Sequence, residues 1–212
     1  MPLPQRLKQA VLNNFIHLES LCSSLRYRIS SCYFSSDWVS INVPTWEKYL
    51  VEFKGRENLC FLEIGSHEGR SAIWFLTHIL IHPSSTLICL DHFYYKKVEI
   101  CFEHNIKTSG FKDKVITIKA KSQQALNFLQ TLTYDLIYVD GSHTATDILI
   151  DARLSWKLLK QGGMMIFDDY TWGQDQPPEE RPKAAIDQFL QEVRSQIMIL
   201  DIGHQVILRK IT

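Results

Sequence analysis

From Leu59 onward, short apolar runs alternate with stretches in which apolar residues recur at helical spacing. The runs are LCFLEIG (59–65), TLICLDHF (86–93), KVITIKA (114–120), YDLIYVDG (134–141) and GGMMIFDDY (162–170). Runs that are apolar almost throughout suit strands covered on both faces, so the pattern predicts five buried strands of a parallel sheet. Helices are predicted between them, near 70–82, 96–109, 122–131 and 144–160. In the last of these Ala145, Ile148, Leu149, Ala152 and Leu159 recur three and four residues apart. Thr144 to Asp147 reads as a capping box at its start, and Gly162-Gly163 as the stop after it. Past the Pro- and charge-rich segment 173–183, a helix near 183–196 and a hairpin of IMILDI and QVILRKI around Gly203-His204 complete the pattern.

Residues 1–45 read differently, with a helix at about 5–25 followed by the irregular aromatic stretch RYRISSCYFSSDWVS. The expected organisation is an N-terminal helical cap over 1–54 and a main domain over 55–212. The fold class is α/β: a Rossmann-like, doubly wound, seven-stranded, mainly parallel sheet with a C-terminal antiparallel hairpin. A chain of 212 residues with 45% hydrophobic and 22% charged residues carries one ordinary globular core, which excludes disordered and disulfide-scaffold classes. Lys+Arg and Asp+Glu both number 23, so no bulk field draws nucleic acid or an anionic membrane. Cys22, Cys32, Cys60, Cys89 and Cys101 form no Cys-x-x-Cys pair and fit buried thiols. With no secretion signal and no long apolar span, a cytoplasmic protein is expected, with a homo-oligomer left open.

In a parallel α/β sheet ligands bind beyond the carboxyl ends of the strands. The first such end is Glu63-Ile-Gly65-Ser66-His-Glu68-Gly69-Arg-Ser71, where two glycines four apart let the backbone turn and approach a ligand. The G-x-G-x-x-G spacing of a dinucleotide loop is absent, and Glu63 and Glu68 disfavour a pyrophosphate. They suit a ligand with ammonium and sulfonium charges, which S-adenosylmethionine has. Asp91, about 26 residues past Gly65, ends the second strand and can accept from both ribose hydroxyls. Ser122 and Gln123 follow the third strand, where polar groups can meet an adenine edge.

Asp140 ends the fourth strand, and Asp168 and Asp169 end the fifth. Neighbouring strands lie about 4.8 Å apart, which crowds three carboxylates on one rim. Like charges so close drive a proton on, whereas a divalent cation accepts all three as hard oxygen ligands. Mg²⁺ or a similar ion on Asp140, Asp168 and Asp169 is therefore expected. Because adjacent strand residues point to opposite faces, Asp168 and Asp169 share one ion only if the chain bends there. His143, three residues beyond Asp140, is the expected general base. Other histidines, His204 among them, show no ligand spacing. Tyr33, Phe34, Trp38, Tyr170 and Trp172 either wall an acceptor pocket or pin the cap to the domain; both readings stand.

Glu63-Ile-Gly-Ser-His-Glu-Gly-Arg-Ser-Ala72, Asp91, Ser122-Gln123 and the last two strand ends together resemble the class I S-adenosylmethionine-dependent methyltransferases. Within these they are similar to the metal-dependent small-molecule O-methyltransferases of the catechol, macrolide-sugar and cephalosporin-tailoring type. The resemblance covers roughly 55–212. It implies that Glu63, Gly65, Ser66, Gly69 and Ser71 hold the methionine part and Asp91, with His92 beside it, the ribose. Ser122 and Gln123 would hold the adenine, and Asp140 would lie against cofactor and metal alike. A histidine at the place of His143 is the pattern of the sugar-modifying relatives; catechol-type enzymes have lysine there. The activity implied is methyl transfer from S-adenosylmethionine to a hydroxyl of a small molecule. Two alternatives remain at this point: a metal-independent methyltransferase acting on nitrogen or protein, and a non-catalytic nucleoside-binding module. The first usually shows Asn/Asp-Pro-Pro-Tyr where this chain has Val-Asp-Gly-Ser-His.

Overall fold

In the structure, a computed structural model that describes residues 27–29 and 32–212, the apolar runs become neighbouring strands of one sheet. A short antiparallel ladder of β1 (Tyr27–Ile29) and β2 (Cys32–Phe34) comes first, then α1 (Val43–Tyr49). The main sheet begins with β3 (Cys60–Ile64), α2 (Arg70–His78), β4 (Thr86–Asp91), α3 (Lys96–Thr108) and β5 (Val115–Lys119). It continues through α4 (Ser122–Ala125), β6 (Tyr134–Val139), α5 (Ala145–Trp156) and β7 (Leu159–Phe167). It closes with α6 (Pro182–Glu192), β8 (Ile197–Ile202) and β9 (Val206–Lys210). The spatial order is β5-β4-β3-β6-β7-β9-β8, and only β9 runs against its neighbours.

Strand order reverses between β3 and β6, so a crevice opens beyond the carboxyl ends of those two strands. Alternate residues along each strand feed opposite faces. Phe61, Tyr138 and Ile166 pack with Trp46 of α1, Phe75 of α2 and Phe102 of α3 on one side. Leu62, Val139 and Phe167 pack with Ile148 of α5 and Phe189 of α6 on the other.

Four of the five expected strands are buried. The third, β5, is an edge strand whose Ile116 is 54% exposed, because none of the described residues pairs with its outer side. Gly162 and Gly163 do not end a helix; α5 stops at Trp156, and both glycines lie within β7. Lys210 Nζ donates to the carbonyls of Trp156 and Leu159, satisfying the end of α5. The glycines serve a bulge instead. Pairing jumps from Tyr134↔Leu159 to Leu136↔Met164, Gly162 has φ +79°, and a Cβ on Gly163 would lie 2.8 Å from Leu159 Cδ1. The helix expected over 122–131 shortens to α4 and one 3-10 turn, Leu126–Phe128. The aromatic stretch expected to be irregular holds the β1–β2 ladder. The helix expected at 5–25 and Cys22 lie outside the described residues. Cys32 and Cys89 are buried as expected, and Cys60 is partly so. The Thr144 cap forms, with its hydroxyl accepting from Asp147 N. Among the described residues no helix is long and apolar enough to cross a membrane.

Candidate active site

Gly65 follows β3 with φ +90°, and a Cβ there would stand 1.9 Å from the carbonyl oxygen of Asp140. No other residue type fits between the ends of β3 and β6. Main-chain bonds hold the junction: Gly65 N donates to Leu90 O and Asp140 N to Ile64 O, each at 2.8 Å. Gly69, with φ +83°, turns the chain into α2 against the ring of Phe102. Below this loop Glu63 is fully buried, and Ser71 Oγ donates to its Oε1 at 2.5 Å. Burial pushes the Glu63 carboxyl up to about 7. Among the described residues its Oε2 makes no hydrogen bond within ordinary limits, and the Ser66 hydroxyl and the Cys89 thiol lie beside the carboxyl. Buried polar atoms are nearly always fully paired, so this carboxyl has room for one further donor. An ammonium group is such a donor, and Glu63, Ser66 and the glycine turn are compatible with the methionine end of S-adenosylmethionine.

Asp91 anchors the same loop. Its Oδ2 accepts from His67 N at 2.9 Å and its Oδ1 from Phe93 N at 2.6 Å. His67 and Phe93 both have φ +46°, so each turn presents its N–H inward to the carboxylate. The half-exposed His92 ring lies 3.7 Å from Asp91 Oδ1. Ser122 and Gln123 start α4 but face α5: Ser122 lies by Asp151, and Gln123 Nε2 donates to Asp147 Oδ1 at 2.8 Å. Glu68 does not join Glu63 at the ligand side. Its Oε2 accepts from Ser35 N at 2.6 Å, tying the segment after β2 to the loop. Arg70 reinforces the tie with a two-pronged pair to Asp37, which holds that carboxyl well below the usual range. The buried Asn105 completes it, exchanging bonds of 2.8 and 2.7 Å with Tyr33 N and O while donating to Glu68 O at 2.9 Å.

The acidic rim forms where β6 and β7 end. Asp169 has φ +58°, the bend that lets both adjacent aspartates serve one rim. The three carboxylates expected to share one ion divide, however, between two overlapping sets: Asp140, His143 and Asp169, and Asp168, Asp169 and His204. Within each set one ligand atom per residue lies within 4.8 Å of the others. Asp168 is drawn aside because its Oδ1 accepts from Asp169 N at 2.8 Å and its Oδ2 from the Tyr138 hydroxyl. Burial first, then the neighbouring carboxylates, push Asp140 well above the ordinary range, and burial raises Asp168. A divalent cation relieves that crowding, and carboxylate oxygens with an imidazole nitrogen suit Mg²⁺ or Mn²⁺. His143 Nε2 lies 2.8 Å from Asp169 Oδ2, and this bond raises its pKa against the effect of burial. The ring of Trp172 packs 4.8 Å from that of His143.

Three residues at the rim escaped the sequence reading: Tyr138, His204 and Gln205. Tyr138 was findable, since it lies two residues before Asp140 on a strand and therefore points to the same face. His204 and Gln205 were not. Only the pairing Phe167↔Val206 puts the turn before β9 beside Asp168, and no local signal encodes that register. Six of the expected positions, Glu63, Gly65, Ser66, Gly69, Ser71 and Asp91, gather at the loop after β3, and Asp140 abuts it.

Comparison with known proteins bears on the family and the fold. Residues 62–170 match the family described as Methyltransferase domain. Protein R132 of Acanthamoeba polyphaga mimivirus is 29% identical over 127 residues; the match spans 54% of this chain and 53% of that one. Among solved structures, the O-methyltransferase TomG of Streptomyces achromogenes, in complex with SAM, aligns with TM-score 0.64 at 16% identity over 80% of each chain. A structure described as an rRNA-methylase from Clostridium thermocellum aligns with TM-score 0.64 at 14% identity, over 80% of this chain and 97% of its own. At such identities the solved structures speak for the fold, whereas the family match covers half of the sequence and includes the loop, Asp91 and all three rim aspartates. The chain belongs to the methyltransferase-domain family, on a Rossmann-like methyltransferase fold.

Proposed function

We propose that this methyltransferase acts on a hydroxyl of a small molecule, with His143 as the general base and a divalent cation, Mg²⁺ or a close equivalent, at the rim. The observation that carries the reading is the pairing of His143 Nε2 with Asp169 at 2.8 Å, on a rim whose Asp140 touches the cofactor loop through Gly65. That arrangement puts a proton acceptor beside the place where a methyl group is offered. Glu63 and Ser66 receive the ammonium end of the cofactor, and Asp91 stands at its ribose. His143 takes the proton of the acceptor hydroxyl on Nδ1, while its Nε2–H stays on Asp169, whose carboxylate stabilises the imidazolium that results. A cation held at the rim would supply positive charge that favours the ionised form of the hydroxyl. Trp172, packed on His143, walls the acceptor side and keeps the imidazole facing the rim. Asp169, common to both sets, would hold the ion together with Asp140 on one side or with Asp168 and His204 on the other.

Radiolabelled S-adenosylmethionine offered with catechols, flavonoids, glycosides and ribosomal RNA tests the acceptor class. Label should enter a hydroxylated small molecule, and uptake into RNA or protein alone overturns the reading. His143→Ala should lower turnover by about 10²-fold or more with S-adenosylhomocysteine affinity kept. An unchanged rate removes His143 from the chemistry, and turnover indifferent to chelator removes the cation.

A further inference from the structure

Three residues far apart in sequence meet behind the acidic rim. Trp46 of α1 is fully buried, Gln205 is 3% exposed just before β9, and Tyr138 of β6 is 1% exposed. Trp46 Nε1 donates to Gln205 Oε1 at 2.7 Å. An indole N–H donates and never accepts, so it settles which way the Gln205 amide lies: oxygen toward the tryptophan, nitrogen away from it. The nitrogen then faces the Tyr138 hydroxyl at 3.5 Å. With a donor behind it, the phenol turns its single proton forward, onto Asp168 Oδ2, with Asp140 Oδ2 at 3.1 Å. One proton thereby serves two carboxylates from two strands.

We propose that Trp46, Gln205 and Tyr138 form a positioning relay that sets the rotamers of Asp168 and Asp140 and so tunes the rim for its cation. The proposal rests on the reading that the rim holds a divalent ion. None of the three touches the reacting atoms; they act through the carboxylates. Packing alone does not call for the hydroxyl. The Tyr138 ring meets Trp46 edge-on at 5.4 Å and Phe75 at 5.8 Å, contacts that phenylalanine makes equally well. Nor does packing call for the indole nitrogen, which is spent entirely on orienting an amide. The relay also makes α1 answerable to the rim: without the indole N–H the Gln205 amide can turn over, and its oxygen then draws the Tyr138 proton away from Asp168.

The test is titration calorimetry with Mn²⁺ on the full chain and on Tyr138→Phe and Trp46→Phe, with S-adenosylhomocysteine affinity measured on each as a control. Tyr138→Phe should weaken Mn²⁺ binding by about tenfold or more, the usual cost of losing a partner behind a metal-binding carboxylate. Trp46→Phe should weaken it several-fold although it touches no carboxylate, and both should keep S-adenosylhomocysteine affinity within about twofold. A merely structural Trp46 would lower the melting temperature and leave Mn²⁺ affinity alone. If the unaltered chain binds no Mn²⁺, the cation reading and the relay fall together. If it binds Mn²⁺ and the variants bind it equally well, the relay falls while the cation reading stands. Should Tyr138→Phe fail to fold, Trp46→Phe decides by itself, unchanged Mn²⁺ affinity overturning the relay.

Discussion

Glu63 offers a stability measurement that reports on the cofactor site without any turnover. Its carboxyl is fully buried and pushed up to about 7, against 4.5 for an ordinary glutamate. Between those two pH values the folded chain keeps a proton that the unfolded chain has released, so stability falls as pH rises through the window. The two pKa values differ by about 2.5, and each pH unit is worth about 1.4 kcal/mol, so the loss approaches about 3 kcal/mol by pH 8. Glu63→Gln keeps an acceptor for Ser71 Oγ and cannot ionise. Urea unfolding followed by circular dichroism from pH 4 to pH 8 should show the variant gaining on the unaltered chain through that window, with little difference at the acid end. Binding should show the converse. A cationic ligand end favours the ionised carboxyl, so S-adenosylhomocysteine binding near pH 7 should release a fraction of a proton, read by calorimetry in buffers of different ionisation heat. The variant should release none of it and bind at least about tenfold more weakly, the loss expected when a charge-assisted bond goes. Parallel stability curves for the two chains would refute the reasoning, since they would mean that Glu63 ionises as readily folded as unfolded.

Two further outcomes follow from the same site. Gly65→Ala forces a Cβ against the Asp140 carbonyl at a backbone angle of φ +90°, and should cost about 4 kcal/mol or more, read as loss of soluble folded chain or a collapse of the urea midpoint. Arg70→Ala removes the pair with Asp37 that ties the segment after β2 to the loop, and should cost about 1 kcal/mol. Limited proteolysis around residues 36–41 should then quicken, and S-adenosylhomocysteine should slow it again.

The sheet was readable because its strands are apolar on both faces, and the ends of β3, β4, β6 and β7 were readable with them, which is why Gly65, Asp91, Asp140 and Asp168 stand where the pattern placed them. What failed locally failed for tertiary reasons. Gly162-Gly163 carries the signature of a helix stop, yet the same conformational freedom serves a bulge, and only the register with β6 tells the two apart. Glu68 looked like a second acid for the ligand because sequence cannot show that Ser35, 33 residues earlier, would claim it. Gln123 was aligned with an adenine edge, but the capping box it adjoins supplies Asp147 as a nearer acceptor. The division of the rim carboxylates depends on Tyr138 and the turn before β9, which meet across 67 residues.

The placement of β9 gives the chain an order of assembly. Although it comes last, it sits inside the sheet, between β7 and a β8 made earlier, so β8 has no partner until residues 206–210 arrive. A fragment ending at Glu192 would keep the cofactor loop, Asp91 and all three rim aspartates while leaving the flank of β7 bare and apolar. Such a fragment should aggregate rather than bind, and the groups it retains would be useless without residues 193–212.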